Sequence, residues 1–309
     1  MYYNNVLEII GNTPMVRINK LVDSNSATIL AKLEMYNPSG SIKDRIAKYM
    51  IENAEKKGIL KSDSIIVEPT TGNTGISLSM VATIKGYKII AVMPEGMSKE
   101  REIMIKSYGA EILFAKNGGK TDIDLTIKKA EQMANDKPKV FMPNQFNNMD
   151  NVKAHRETTG KEILNQVGKK IDAFIAGVGT GGTLIGVAQI LKEKIPDIRI
   201  IAVEPVNSSI LSGGRPGQHK IQGIGEGFIP KVLNSGLNLI DEIITVTDEE
   251  AVETTRRLAK KEGILAGISS GANMFAALKL AKKLGKDKIV VTIFPDRGER
   301  YLSNDVFKF

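Results

Sequence analysis

An α/β protein with two mostly parallel, twisted sheets flanked by helices is the fold class that the sequence predicts, on three observations. Short β-rich runs alternate with helical patterns along the 309 residues. Glycine-rich turns recur where such a run meets the following helix. One segment, Asn135 to Met149, holds Pro138, Pro143 and several asparagines and breaks the alternation, as a crossing between two α/β units would. The expected division is a smaller unit over 1–147 and a second over 148–309, with roughly 15–36 packing on the second.

The β-rich runs, in order, are Thr28 to Leu33, Ser64 to Val67, Lys88 to Met93, Glu111 to Phe114, Ala173 to Ala176, Arg199 to Val203, Ile243 to Val246 and Lys288 to Ile293. Amphipathic stretches lie between them at Ser98 to Tyr108, Ile123 to Met133, Leu184 to Lys194, Asp248 to Glu262 and Ala272 to Leu284. A further helix follows the turn at Pro38 and Gly40, because Ile42, Ile46, Ala47, Met50, Ile51 and Ala54 recur at helical spacing and Ser39 or Ser41 can cap it.

Composition excludes several function classes. No apolar run approaches the ~18 residues of a membrane span, and Met1 to Asn5 lacks the basic and apolar regions of a signal peptide, so a cytoplasmic location is expected. There is no cysteine, hence no disulfide or thiolate zinc site, and two histidines, His155 and His219, argue against a histidine-rich metal centre. The net charge of +8 is spread over scattered lysines with no tryptophan to stack bases, which reads as solvated surface and not as a nucleic-acid interface.

Lys43 stands in the first turn of its predicted helix, where the free amides disfavour an ammonium and burial would disfavour it further. A neutral amine attacks an aldehyde, and a pKa lowered by even ~2 units from about 10.4 changes what a lysine can do near neutrality. The same segment also fits a solvated lysine partly neutralised by Asp44.

Three glycine-rich turns carry the remaining candidates. Glu68 to Gly75 presents Thr70, Thr71, Asn73 and Thr74 before a helix beginning near Ile76, a setting that suits a carboxylate or simply a polar loop. Gly177-Val178-Gly179-Thr180-Gly181-Gly182-Thr183 opens the helix from Leu184 and offers several amides and two hydroxyls to a phosphate, or is a purely structural tight turn. It also fits a dinucleotide fingerprint, with Glu204 at the distance of a ribose contact, so an NAD-dependent oxidoreductase is the rival of a different class; a P-loop is excluded because Thr183 stands where lysine is required. Gly267-Ile268-Ser269-Ser270-Gly271 matches a nucleophile elbow formally, but no histidine follows it in the chain. Ser269 is then a hydroxyl partner for a ligand, or a cap for the helix from Ala272.

Taken together and in order, these segments resemble the cysteine synthase and cystathionine β-synthase family of pyridoxal phosphate enzymes. The resemblance runs from Gly11-Asn12-Thr13-Pro14 through Gln145-Phe146 and His219 to Gly225, and on to Gly298-Glu299-Arg300-Tyr301-Leu302-Ser303. It implies the fold of the tryptophan synthase β subunit, fold type II, with pyridoxal phosphate as cofactor and no metal. Lys43 would hold the cofactor as an imine, Asn73 its ring oxygen, and Gly179, Thr180, Gly181, Gly182 and Thr183 its phosphate. Ser269 would face the pyridine nitrogen, where a neutral hydroxyl makes the ring a weaker electron sink than a carboxylate would. Thr70, Thr71, Asn73, Thr74, Gln145 and Gly225 match the substrate contacts. The implied reaction is β-replacement through an aminoacrylate, with Lys43 as general base: O-acetyl-L-serine and sulfide give L-cysteine and acetate. Implied partners are small amino-acid and sulfur substrates, a second copy in a homodimer, and a serine acetyltransferase tail; nucleic acid and membrane are not among them.

Two positions depart from the family pattern. Glu226 replaces a small neutral residue on the turn beside Gly225, and a carboxylate there would serve a thiol, whose proton must be accepted, more than sulfide. Glu226 is thus a candidate second base for an enzyme that uses L-cysteine as donor, releases hydrogen sulfide and forms lanthionine or cystathionine; a solvent-facing glutamate is the other reading. Arg297 replaces a small hydroxyl residue and could act on the ring-nitrogen side or pair with a nearby acid.

Overall fold

The computed structural model describes residues 2–116, 123–168 and 170–307. Its strands form two sheets. The six-stranded sheet has the order β1 (Met15–Ile18), β2 (Thr28–Leu33), β10 (Ile289–Phe294), β7 (Ala173–Gly177), β8 (Arg199–Pro205), β9 (Glu242–Val246). The four-stranded sheet has the order β5 (Glu111–Ala115), β4 (Lys88–Pro94), β3 (Ile65–Pro69), β6 (Val140–Phe141). Every pairing is parallel except β1 with β2. The β1–β2 hairpin reaches the six-stranded sheet because β2 pairs with β10, Thr28 opposite Ile289 through Leu33 opposite Phe294.

The eight β-rich runs all become strands. The two strands absent from the sequence reading, β1 and β6, are four and two residues long, and only their partners β2 and β3 make them extended. Apolar strands covered by helices on both faces account for the mostly parallel pairing. One core packs Ile29, Ala31, Ile175, Val203 and Val290 against α10 (Ile268–Leu284). A second packs Phe174, Ala202 and Val291 against α7 (Gly182–Lys194), and a third joins α1 (Lys43–Lys56) and α2 (Asn73–Lys85) to the four-stranded sheet.

Helices start earlier than periodicity indicates where glycine precedes them: α2 begins at Asn73 after Gly72, and α10 at Ile268 after Gly267. The remaining helices of the smaller sheet are α3 (Lys99–Ser107) and α4 (Ile123–Asp136). The stretch α5 (Asp150–Ala154), a wide turn His155–Gly160 and α6 (Lys161–Val167) forms one continuous helical run that the sequence reading left unassigned. The short α8 (Lys231–Asn234) precedes β9, and α9 (Asp248–Arg257) is opened by a reciprocal cap between Thr247 and Glu250.

Three strand ends meet at one place. Ser41 bridges Asp296, the Ile42 N–H donates to the Pro295 carbonyl at 2.9 Å, and Ala266 bridges Arg297. These links fasten the start of α1 and the start of α10 to the carboxyl end of β10, beside the loops that leave β3 and β7.

Candidate active site

Lys43 is the first residue of α1 and lines a cavity of about 830 Å³, mouth included. Lys43 is half-buried, and its pKa is lowered chiefly by desolvation in that cavity, opposed by the charges of Glu226 and Asp296. Asp44 does not neutralise it. That carboxylate turns away, accepting from the Ser39 N–H at 2.7 Å, the Ser77 hydroxyl at 2.6 Å and the Ser39 hydroxyl. The surface-lysine alternative therefore fails on two counts, the place of Lys43 in the cavity wall and the direction of Asp44.

The loop from β7 to α7 lies against the same cavity, with Gly179, Thr180, Gly181 and Thr183 in its wall. Gly182 stands just behind them, and a Cβ there would collide with Asn151 Oδ1. Asn151 is itself fixed, donating from Nδ2 to the Gln145 carbonyl at 2.9 Å and the Thr180 hydroxyl at 3.0 Å. His155 Nε2 lies 3.2 Å from the Thr183 hydroxyl, and Nδ1 lies 2.9 Å from that of Thr159. Burial, with the charges of Lys43 and Arg45, holds His155 well below the usual histidine range, so it is neutral.

Across the cavity, Thr71, Asn73, Thr74 and Gln145 line the wall, whereas Thr70 does not reach it. The Thr70 hydroxyl is occupied by the Gly72 and Gly75 amides, each at 3.0 Å. Thr74 donates to Gln145 Oε1 at 2.6 Å, and Gln145 Nε2 donates to the Pro69 carbonyl at 3.0 Å. Asn73 Nδ2 donates to Asp296 at 2.7 Å while its Oδ1 accepts from Arg300. Ser269 lines the cavity in the first turn of α10, so it is inside the helix and does not cap it. Glu226 also lines the cavity, its Oε1 3.2 Å from where a Cβ on Gly179 would stand, and burial raises its pKa against the pull of Lys43. Gly225 lies outside this cavity, in the adjoining cleft.

Arg297 does neither thing considered for it. Its side chain is exposed, and Nε donates to the Met35 carbonyl at 2.9 Å. Glu204 is likewise spent: its carboxylate accepts from the Leu211 and Ser212 amides, both at 2.9 Å, and from the Ser212 hydroxyl at 2.5 Å. A ribose would find no free carboxylate there.

The pattern of one protein family, described as pyridoxal-phosphate dependent enzyme, matches residues 6–296. The chain belongs to that family. It is 52% identical to a cysteine synthase of Staphylococcus aureus over 307 residues, 99% of this chain and 97% of the relative. Among solved structures, a hydrogen sulfide-producing enzyme of Fusobacterium nucleatum matches with TM-score 0.92 and 45% identity, covering 97% of this chain and 100% of that one. An O-acetylserine dependent cystathionine β-synthase of Helicobacter pylori matches with TM-score 0.94 and 42% identity, both chains covered completely. The protein is a pyridoxal-phosphate dependent enzyme of the mixed α/β, fold type II class, and the dinucleotide reading is set aside.

The residues present fit the cofactor. The cavity holds a primary amine shifted toward neutrality at one position and a glycine- and threonine-rich helix start at another. Its wall also includes Asn273, whose buried Oδ1 has no protein partner.

Sequence reasoning passed over Asp296, Asn151, His155 and Arg101. Asp296 was open to detection, because it immediately follows a parallel strand, where α/β proteins place their ligands. Asn151 and His155 lie in the unassigned helical run, and Arg101 on an ordinary amphipathic helix; nothing in their spacing distinguishes them.

Proposed function

We propose that the enzyme converts O-acetyl-L-serine and sulfide to L-cysteine and acetate by β-replacement. The observation that carries this reading is the deprotonation-prone Lys43 amine sharing one cavity with the start of α7, Asn73 and Ser269. In this reading Lys43 holds pyridoxal phosphate, residues 179 to 183 its phosphate, Asn73 its ring oxygen and Ser269 its pyridine nitrogen. When bound, the cofactor supplies an electron sink for the substrate's α carbon.

The chain's own residues do the rest. Thr71, Asn73, Thr74 and Gln145, with the N–H groups that open α2, receive the substrate carboxylate, and Thr70 supports that loop from behind. Lys43, once free of the cofactor, takes the proton from the α carbon as general base. The bond from the β carbon to the acetate oxygen breaks and a bond from that carbon to sulfur forms. Ser269, a neutral hydroxyl, would not force protonation of the ring nitrogen as a carboxylate would, which favours departure of the β group.

A second reading rests on Glu226. A carboxylate facing Lys43 across the cavity, with its pKa raised, can accept the proton of a thiol acceptor. L-Cysteine would then act as donor, releasing hydrogen sulfide and yielding lanthionine or cystathionine.

Product analysis separates the two. O-Acetylserine with sulfide is expected to give L-cysteine and acetate in equal amounts, and a cofactor-loaded protein that forms no cysteine overturns the first reading. Glu226→Ala is expected to slow sulfide release from cysteine by about tenfold or more; unchanged release removes its role.

The same proposal includes a homodimer, a cytoplasmic location and docking of a serine acetyltransferase tail at the cleft, for which family membership is the support. Among the described residues no helix is long and apolar enough to cross a membrane. It also includes the division at 147/148 with 15–36 in the second unit, for which the two strand orders are the support.

A further inference from the structure

Arg101, on α3, is buried to 2% exposure and lines the cavity. Its hydrogen-bond partners are uncharged: Nη1 donates to Gln222 Oε1 and, at 3.4 Å, to the Thr71 carbonyl, and Nη2 donates to the Tyr301 hydroxyl at 2.9 Å. The guanidinium carbon lies 5.0 Å from the centre of the Tyr301 ring. Nε is buried without a partner. Among the described residues no carboxylate lies within ion-pair distance of it. Burying a cation without a counter-ion is unfavourable, and an anion brought to it would offset that cost.

The position of Arg101 indicates which anion. Thr71, Gln222, Gly223, Ile224 and Glu226 line both the Lys43 cavity and the wide cleft that adjoins it, so the Arg101–Gln222 pair stands where the two spaces join. The donor amino acid already has a carboxylate site at the start of α2. Gly72 leaves room for the Arg101 stem behind that loop, since its φ of +145° and the closeness of Arg101 Cδ both forbid a side chain there.

We propose that Arg101 recognises the carboxylate of an acceptor thiol, so that among thiols the enzyme prefers those that also bear a carboxylate. This deepens the proposed β-replacement and rests on it. In the step concerned, the bond from the β carbon to the acetate oxygen breaks and a bond to the thiol sulfur forms. The thiol proton passes to Glu226 and then to solvent, and acetate leaves with the bonding electron pair. The Arg101 guanidinium, whose bonds to Gln222, Thr71 and Tyr301 are all to uncharged groups, pairs with the acceptor carboxylate while the thiol faces Glu226.

The test uses the holoenzyme with O-acetylserine as donor and two acceptors that cannot themselves act as donors, 3-mercaptopropionate and 2-mercaptoethanol. Efficiencies are compared per thiolate present. Wild type is expected to use the carboxylate-bearing thiol at least about tenfold more efficiently, as one charge-assisted bond is worth. In Arg101→Gln that ratio is expected to fall toward one, and Arg101→Lys to restore part of it. Equal use of both thiols by wild type overturns the inference without any variant. So does an equal loss with both thiols in Arg101→Gln, the mark of a purely structural role, or a rise confined to the KM of O-acetylserine. If the holoenzyme releases no acetate from O-acetylserine with sulfide or with either thiol, the β-replacement itself falls, and this inference with it.

Discussion

The loop that opens α7 and the loop that opens α2 both leave the carboxyl end of a parallel strand and line one cavity, yet they are built from different materials. The α7 loop is glycine and backbone, packed so closely on Asn151 and Leu233 that side chains are excluded at Gly181 and Gly182. Its ionisable neighbour, His155, is held neutral. The α2 loop is hydroxyl and amide side chain, and its supports are ionisable groups: Arg101 behind Gly72, and Glu68 beneath Gln145. In the proposed assignment the α7 loop holds the cofactor phosphate, which suits a rigid cradle whose charge does not vary, and the α2 loop meets a transient substrate carboxylate with groups that can rearrange. The two loops should therefore fail in different ways.

The largest effect removes what both loops serve. Lys43→Ala is expected to lower kcat by about 10³-fold or more while leaving both loops intact, as loss of a covalent anchor and general base does. Turnover and the cofactor's absorption band, measured together, check it; a variant that keeps wild-type kcat removes Lys43 from catalysis.

Gly182→Ala attacks the cradle alone. The added methyl meets Asn151 Oδ1, whose side chain is tied down through Nδ2 to Gln145 and Thr180, so relief would break those bonds. Overpacking of this kind costs about 1–3 kcal/mol, and cofactor affinity is expected to fall about 10- to 100-fold. Titration of the apoprotein with pyridoxal phosphate measures it. Unchanged affinity would show that the close packing of this loop is not what holds the phosphate.

Thr74→Val attacks the other loop. It deletes the hydroxyl that donates to Gln145 at 2.6 Å and keeps the volume. The KM for O-acetylserine is expected to rise about tenfold, the worth of one lost hydrogen bond in a polar site, with cofactor affinity unchanged. Loss of cofactor instead would erase the distinction between the loops.

How much of this contrast the sequence disclosed follows from what each part is made of. Glycine runs at strand ends are local signals, so they single out the α7 loop, the α2 loop and Ser269, all of which line the cavity, with the first two helix starts displaced by three residues or fewer. Glu226 was found because a charge replaced a small residue on a glycine turn. The supports were not found, since Glu68, Arg101 and Asn151 reach their partners across 77, 121 and 29 positions of the chain. Short strands were lost for the same reason: β1 and β6 acquire their conformation from pairing, which a linear reading of MVRI or VF does not contain. Arg297 misled in the opposite sense, because a charged residue in a motif looks functional until its side chain is seen to bond the Met35 carbonyl at the surface.

Glu68 gives the finest test of the comparison, because it titrates near neutrality whereas His155, beside the α7 loop, stays neutral. It is fully buried at the end of β3 and accepts from the Asn144 and Gln145 amides at 2.7 and 2.9 Å, fixing the residue to which Thr74 donates. Burial raises its pKa to about 8, more than the two amide bonds lower it. A carboxyl whose folded pKa lies above its unfolded value keeps its proton in the native state after the unfolded chain has lost its own. The native state then binds more protons between the ordinary carboxyl pKa and about 8, so stability falls as pH rises through that window and levels off above it. The slope from one such group is at most ~1.4 kcal/mol per pH unit. Glu68→Gln, which keeps the shape and one acceptor, is expected to flatten this slope in denaturant titrations across pH 5 to 9 and to change the KM for O-acetylserine only a few-fold. A slope identical in wild type and variant would assign the pH response elsewhere, and would leave the α2 loop as insensitive to protons as the cradle opposite it.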